Sequence, residues 1–228
     1  MENQIRVLST KMLTDQQKRL LLNANFSIDE ADFIDVVNQS FDLKSSNDYL
    51  IFTSQNAVES ILEDEKATEL KTKKCFCVGE KTKAMLETNG FDVIAGADYA
   101  SELASIICNQ YGKSSFTFFC GNLRRDILPD SLRLAGITFE EVEVYETRLT
   151  PDKAAADLNG ILFFSPSGVQ SFLKENELQD EVCFCIGSTT AKALRGITNK
   201  VVTANQPTIE STIAKSIEFF NKIVVGIF

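Results

Sequence analysis

Small polar residues close almost every apolar run of this chain. The sets are Thr53-Ser54-Gln55-Asn56, Gly79, Cys120-Gly121-Asn122, Ser165-Pro166-Ser167-Gly168 and Gly187-Ser188-Thr189-Thr190. Each follows a largely apolar run and precedes a helical spacing. Such a turn presents free backbone N–H groups and short hydroxyls at a helix start, an arrangement that binds anions. One hydroxyl of this kind is an ordinary helix cap. The set as a whole, in two copies, favours a cleft that binds anionic groups by backbone N–H. No Gly-x-x-x-x-Gly-Lys or Gly-x-Gly-x-x-Gly occurs, so none of the turns reads as a nucleotide phosphate loop.

The elements that must position these residues are strands and helices in alternation. Ile161–Phe164 is a continuous apolar run, as in a strand buried on both faces, and Val169, Phe172 and Leu173 then take a helical spacing. The chain repeats this unit: Phe52 recurs as Phe163, Ser54 as Ser165, Val58 as Val169, Ser60 as Ser171 and Leu62 as Leu173 at one constant offset. Cys75-Phe-Cys-Val-Gly79 recurs as Cys183-Phe-Cys-Ile-Gly187, with Thr82 matching Thr190. The first 35 residues echo Phe116 to Tyr145, each reading strand, helix and extended segment, with Phe33–Val37 as the extended piece of the first copy. The repeat is therefore rotated, and a rotated repeat implies one domain inserted into another. Residues 1–36 plus 150–228 should form the first domain and 41–145 the second, with hinge strands near 37–40 and 146–149. A tandem pair split near residue 115 is the simpler alternative. The rest of the reading places strands at Ile5–Ser9, Cys75–Val78, Phe91–Ile94, Phe116–Phe119 and Phe139–Tyr145. It places helices after Thr14, over Glu80–Glu87, around Ser101–Ile107 and over Arg124–Leu134, the last kinked or restarted at Pro129.

Composition narrows the chemistry. The 228 residues carry a net charge of −9, which argues against a nucleic-acid surface. The absence of His leaves Tyr, Lys, Cys, carboxylates or hydroxyls for proton transfer and excludes imidazole metal sites. The six cysteines include two Cys-Phe-Cys pairs in apolar, strand-like runs. They read as small buried hydrophobes rather than zinc ligands. No basic leader followed by an apolar stretch opens the chain, and no run of about 18 apolar residues occurs. A cytoplasmic protein without disulfides or membrane spans is expected.

As a set, FTSQNAV, CGNLRRDILP, VEVYET, FFSPSGV and IGSTTAKAL resemble the motifs of the uroporphyrinogen-III synthase family, over nearly the whole chain and in order. The resemblance implies an α/β fold of two flavodoxin-like domains with parallel sheets, joined by a two-stranded linker, the first domain discontinuous. It implies an enzyme that takes the linear tetrapyrrole hydroxymethylbilane, removes water, inverts the last pyrrole ring through a spiro intermediate and closes the macrocycle. No cofactor is implied, and the expected partner is the small-molecule substrate, with no nucleic acid and no membrane. A monomer is expected, with the preceding enzyme of the pathway as a candidate partner. The family's moderately important tyrosine falls on Tyr145, beside the hinge and facing the cleft, where the resemblance makes it the best candidate to assist departure of the hydroxyl. The family's cleft hydroxyls fall on Ser54, Thr82, Ser165, Ser167, Thr189 and Thr190. The candidate substrate-binding set is then Ser54, Asn56, Gly79, Thr82, Gly121, Asn122, Ser165, Ser167, Gly168, Gly187, Ser188, Thr189 and Thr190. Gln55-Asn56 stands where relatives commonly have a proline and a basic residue. A non-catalytic sensor closing on an anionic ligand and a flavodoxin-like electron carrier are the rival readings.

Overall fold

A computed structural model describes residues 4–44 and 46–225. The chain forms two compact units. One comprises Met1–Asp35 and Arg148–Phe228, the other Val36–Thr147.

The first unit holds strands β1 (Ile5–Ser9), β2 (Phe26–Glu30), β9 (Gly160–Phe163), β10 (Val182–Cys185) and β11 (Val201–Thr203). Its helices are α1 (Asp15–Asn23), α7 (Pro166–Glu175), α8 (Ser188–Lys192) and α9 (Ile209–Val225). The strands lie in the order β11-β10-β9-β1-β2, each parallel to its neighbours. The second unit holds β4 (Tyr49–Phe52), β5 (Lys74–Val78), β6 (Asp92–Ala97) and β7 (Ser115–Gly121). Its helices are α2 (Gln55–Glu63), α3 (Ala67–Leu70), α4 (Glu80–Thr88), α5 (Ala100–Gln110) and α6 (Ile127–Leu134). Strands β3 (Ile34–Asn38) and β8 (Thr138–Leu149) complete its sheet, in the order β3-β8-β7-β4-β5-β6. Counted from β7 through β8 and then β4, β5 and β6, these strands take the same order as β1, β2, β9, β10 and β11. Both are the doubly wound arrangement known from flavodoxin. The strand order reverses between β1 and β9 in one unit and between β7 and β4 in the other. Open α/β sheets bind ligands beyond the carboxyl ends of the strands at such points.

The sequence dictates this layering. Along β4 and β5, Leu50, Phe52, Cys75 and Cys77 pack into one buried cluster, and Ile51 and Phe76 into another. In the first unit Ile161, Phe163, Cys183 and Cys185 share one cluster, while Leu162 and Phe184 share another. Alternate residues of a strand face opposite sides, so a strand covered on both faces is apolar at nearly every position. Each Cys-Phe-Cys thus puts two small thiols under the helices of one face and a ring under those of the other. Burial pushes the thiols of Cys75, Cys120, Cys183 and Cys185 up to about 12 and that of Cys77 up to about 11. Helix starts follow the sequence closely. Thr14 and Gln17 form a reciprocal capping box on α1, and Pro166 opens α7 where its missing N–H costs nothing.

The structure corrects two expectations. The second strand of the first sheet is β2, Phe26–Glu30, ahead of the extended segment at Phe33–Val37. Its single buried residue, Phe26, gives an edge strand little apolar signal. The helix expected from Arg124 begins at Ile127, which puts Pro129 in its first turn, where proline neither kinks nor breaks a helix. The first sheet is parallel throughout, and the second carries one antiparallel pair at its edge. The Thr150 N–H donates to the Phe33 carbonyl (3.0 Å) and the Gln39 N–H to the Val144 carbonyl (2.9 Å), so β3 runs against β8.

Candidate functional site

In the second unit the reversal point lies between β7 and β4, and three residues converge there. Ser54 follows β4 and caps α2, its hydroxyl accepting from the Ala57 N–H at 3.2 Å. Tyr145 stands on β8, on the far side of β7. Its phenolic oxygen lies 3.1 Å from Ser54 Oγ, with either hydroxyl able to donate. The ring reaches Ser54 by crossing the end of β7 at Gly121. A Cβ on Gly121 would sit 2.3 Å from Tyr145 Cε2 and 2.4 Å from Cζ, so only glycine admits the ring. The β7–β8 register shifts between Cys120 and Gly121, so that Cys120 faces Glu143 but Gly121 faces Tyr145. The extra residue, Val144, stays fully buried in the core. A one-residue shift of this kind re-aims the side chain that follows it. Asn122 turns back on the same strand: its amide donates to the Thr147 carbonyl (3.2 Å) and its oxygen accepts from the Thr147 N–H (2.9 Å).

Burial raises the Tyr145 phenol above its ordinary value. The Ser54 hydrogen bond pulls it back in part, and nearby Cys120 adds a smaller upward push. Tyr145 is therefore a neutral donor at any physiological pH. If Ser54 donates to it, the phenolic proton is left to point elsewhere.

Gly79 and Thr82 lie one strand further on, at the carboxyl end of β5. Gly79 has φ +89°, a left-handed conformation that favours glycine, and its N–H donates to Ala97 (2.8 Å). Thr82 is 4% exposed. No side-chain hydrogen bond is seen for it among the described residues. Asn56 is half-buried in the first turn of α2. A cavity of about 360 Å³ opens at the ends of β5 and β6, lined by Gly79, Glu80, Lys83 and Asp98.

In the first unit the reversal point lies between β1 and β9. Ser165 caps α7 by accepting from the Gly168 N–H at 2.9 Å, and its hydroxyl lies 3.0 Å from that of Ser167. A Cβ on Gly168 would lie 3.2 Å from Ser165 Oγ and 3.6 Å from Thr10 Oγ1. Thr10 is a residue that sequence reasoning missed. It is buried, and its N–H (3.1 Å) and hydroxyl (2.8 Å) both donate to the Leu162 carbonyl, which ties β1 to β9 at the reversal point. Its signal was present in Ser9-Thr10, a polar pair closing an apolar run like the others. Gly187, Ser188, Thr189 and Thr190 stand at the end of β10. Gly187 is extended, with nothing within 4 Å of an added Cβ, so the backbone there does not demand glycine. Ser188 is exposed, Thr189 half-buried and Thr190 2% exposed.

The structure thus brings Ser54, Gly121 and Tyr145 into contact in one unit and Ser165, Ser167 and Gly168 in the other. Thr82 and Thr190 occupy matching places beside those groups without bonding to them. Arg124 is held by Glu141 and Asp126, and Arg125 is exposed, so neither is drawn into these groups. A cavity of about 1080 Å³ lies at the other end of the first sheet, beside Arg6 and Lys153. No cluster of three or more potential metal-ligating His, Cys, Asp or Glu side chains occurs among the described residues.

Known proteins share both the sequence pattern and the fold. A family model described as HEM4, uroporphyrinogen-III synthase HemD, matches residues 24–214. Uroporphyrinogen-III synthase of Saccharomyces cerevisiae is 32% identical over 138 residues, covering 53% of this chain and 50% of the yeast protein. The porphyrin biosynthesis protein HemD of Ruminiclostridium josui is 25% identical over 189 residues, covering 75% of this chain and 38% of that protein. The chain therefore spans half or less of the curated relatives it matches. Two crystal structures share the fold. Uroporphyrinogen-III synthetase from Helicobacter pylori has a TM-score of 0.70 at 21% identity, covering 94% of this chain and 99% of that one. A mutant uroporphyrinogen III synthase from Thermus thermophilus has a TM-score of 0.69 at 14% identity, covering 96% and 99%.

Proposed function

The chain belongs to the uroporphyrinogen-III synthase family, and from that premise we propose that it converts hydroxymethylbilane to uroporphyrinogen III and water, as an enzyme of tetrapyrrole biosynthesis. The observation that carries the reading is the half-buried Tyr145 phenol, bonded to Ser54 at the reversal point of its sheet. Loss of the substrate's hydroxyl is assisted by a group that holds a proton at working pH, and in a chain without imidazole the Tyr145 phenol is such a group. Tyr145 donates to the departing hydroxyl, while Ser54 stabilises the phenolic oxygen as negative charge develops on it.

The substrate is a polyanion, with two carboxylates on each of its four rings. It meets a protein of net charge −9, so long-range attraction does not recruit it. Local donors serve its carboxylates instead: in the second unit the N–H groups at the starts of α2 and α4 and the Thr82 hydroxyl, and in the first unit the N–H groups at the start of α7 and the hydroxyls of Ser165, Ser167, Thr189 and Thr190. Each charge-assisted bond of this kind contributes about 1.5–3 kcal/mol. Holding the linear chain with its ends close supplies the rest as positioning. No cofactor takes part in this reading. One chain carries both binding units, so the reading requires no second copy. Buried free thiols suit a reducing compartment, and we place the enzyme in the cytoplasm. No helix among the described residues is long and apolar enough to cross a membrane. The test is to supply hydroxymethylbilane and resolve the isomers formed. Type III in excess supports the proposal, and type I alone refutes it.

A further inference from the structure

We propose that Gly121 and Asn122 are positioning residues for Tyr145 rather than contacts for substrate. The inference rests on the role given to Tyr145 above, and it assigns these two positions differently from their place in a row of anion-binding turns.

Three observations carry it. The Gly121 Cα face is covered by the Tyr145 ring, with two ring carbons where a Cβ would be. The register shift between Cys120 and Gly121 puts Tyr145, instead of Val144, opposite Gly121. The Asn122 carboxamide spends one donor and its oxygen on the peptide of Thr147, two residues beyond Tyr145, in the manner of an added strand. Gly121 therefore sets the depth at which the ring lies. Asn122 stops β8 from sliding or lifting after the bulge. Between them the phenol is aimed across β7 at Ser54, 3.1 Å away. A tyrosine side chain has only two major torsions, so fixing its backbone and one ring face fixes its oxygen.

The experiment compares Asn122→Ala and Gly121→Ala in the wild-type and the Tyr145→Phe backgrounds. Turnover and phenol ionisation are both measured, the latter by ultraviolet absorbance. Subtracting the Tyr145→Phe trace isolates Tyr145 from the other tyrosines. A misplaced reacting group costs turnover steeply, so Asn122→Ala should lower kcat about tenfold with KM nearly unchanged. The same change should cost almost nothing further once the phenol is gone. The Tyr145 titration should move down toward the ordinary tyrosine value of about 10 as the ring loosens. Asn122→Asp, which keeps the acceptor for the Thr147 N–H, should recover part of both effects. A rise in KM with kcat unchanged, or an equal loss in both backgrounds, would make Asn122 a substrate contact and overturn the proposal. An unmoved titration in Asn122→Ala would also overturn it. Should Gly121→Ala fail to fold, the Asn122 variants decide alone. Should Tyr145→Phe keep full turnover, the role given to Tyr145 fails, and the titration still reports whether Gly121 and Asn122 hold the ring.

Discussion

The phenolic oxygen of Tyr145 and the hydroxyl of Ser54 meet at 3.1 Å although their strands, β8 and β4, are separated by β7. The contact spans the point where strand order reverses. It also joins a helix cap to a strand residue, because the same Ser54 oxygen accepts from the Ala57 N–H at the start of α2. A proton donor is thereby linked to a helix N-terminus, whose partial positive charge favours negative charge on the phenolic oxygen.

Tyr145→Phe removes one oxygen and keeps the ring over Gly121. Turnover should fall at least tenfold, at the low end of what a positioned acid supplies, with the circular dichroism and melting temperature little changed. Ser54→Ala should lower turnover as well, and it should also cost about 1 kcal/mol of stability through the lost cap. Steady-state kinetics beside urea unfolding separates the two. Unchanged turnover in well-folded Tyr145→Phe would make the tyrosine structural.

Thr82 and Thr190 are 4% and 2% exposed, and no hydrogen bond of their side chains is seen among the described residues. If the hydroxyls serve substrate carboxylates, Thr82→Val and Thr190→Val should each raise KM about tenfold, as loss of one charge-assisted bond does. Stability should hold or rise, since no protein partner is abandoned. Destabilisation at constant KM would show that both belong to the core alone.

Ser60 and Ser171 occupy equivalent places in the repeat and should respond with opposite sign. Ser60 Oγ donates to Asn38 Oδ1 (2.6 Å) and lies 2.9 Å from the Asn56 carbonyl. Ser171 Oγ is buried with no hydrogen-bond partner among the described residues. Ser60→Ala should cost about 1 kcal/mol, and Ser171→Ala should gain about as much by removing an unsatisfied buried hydroxyl. Denaturant midpoints for the two variants check this directly.

Five deeply buried thiols make stability sensitive to alkali. Burial pushes Cys75, Cys120, Cys183 and Cys185 from 9.0 up to about 12 and Cys77 up to about 11. Above about pH 9 the unfolded chain releases protons that the folded chain retains, so stability falls as pH rises through the interval up to the folded values. Below pH 9 these groups contribute no slope. Each thiol adds about 1.4 kcal/mol per pH unit within that window. Urea midpoints from pH 7 to 11 should be flat and then drop, and Cys185→Ala should have a slope shallower by one proton.

Fully apolar runs ending in small polar residues were enough to read the α/β class, the central buried strands and the helix starts after Ser54, Gly79 and Ser165. Cys-Phe-Cys needed no special chemistry, because a strand covered on both sides calls for small residues on one face and a large one on the other. What escaped the sequence was set by contacts between strands. β2 has one buried residue and offers no periodic signal. The close fit of Gly121 to Tyr145 depends on a bulge between β7 and β8, and a register shift leaves no mark in either strand's own residues. Asn122 looked like one more polar turn residue until its partner, the Thr147 peptide, was in view. Thr10 was overlooked because no repeated motif drew attention to it.

The most direct measurement gives the purified protein hydroxymethylbilane and quantifies uroporphyrinogen isomers over time, beside a protein-free control. The linear substrate closes by itself to the type I isomer, so only ring inversion reveals catalysis. Wild type should yield type III in clear excess, and Tyr145→Phe should shift the product toward type I at equal protein concentration. Type I alone from well-folded wild type, at the rate of the control, would contradict the account.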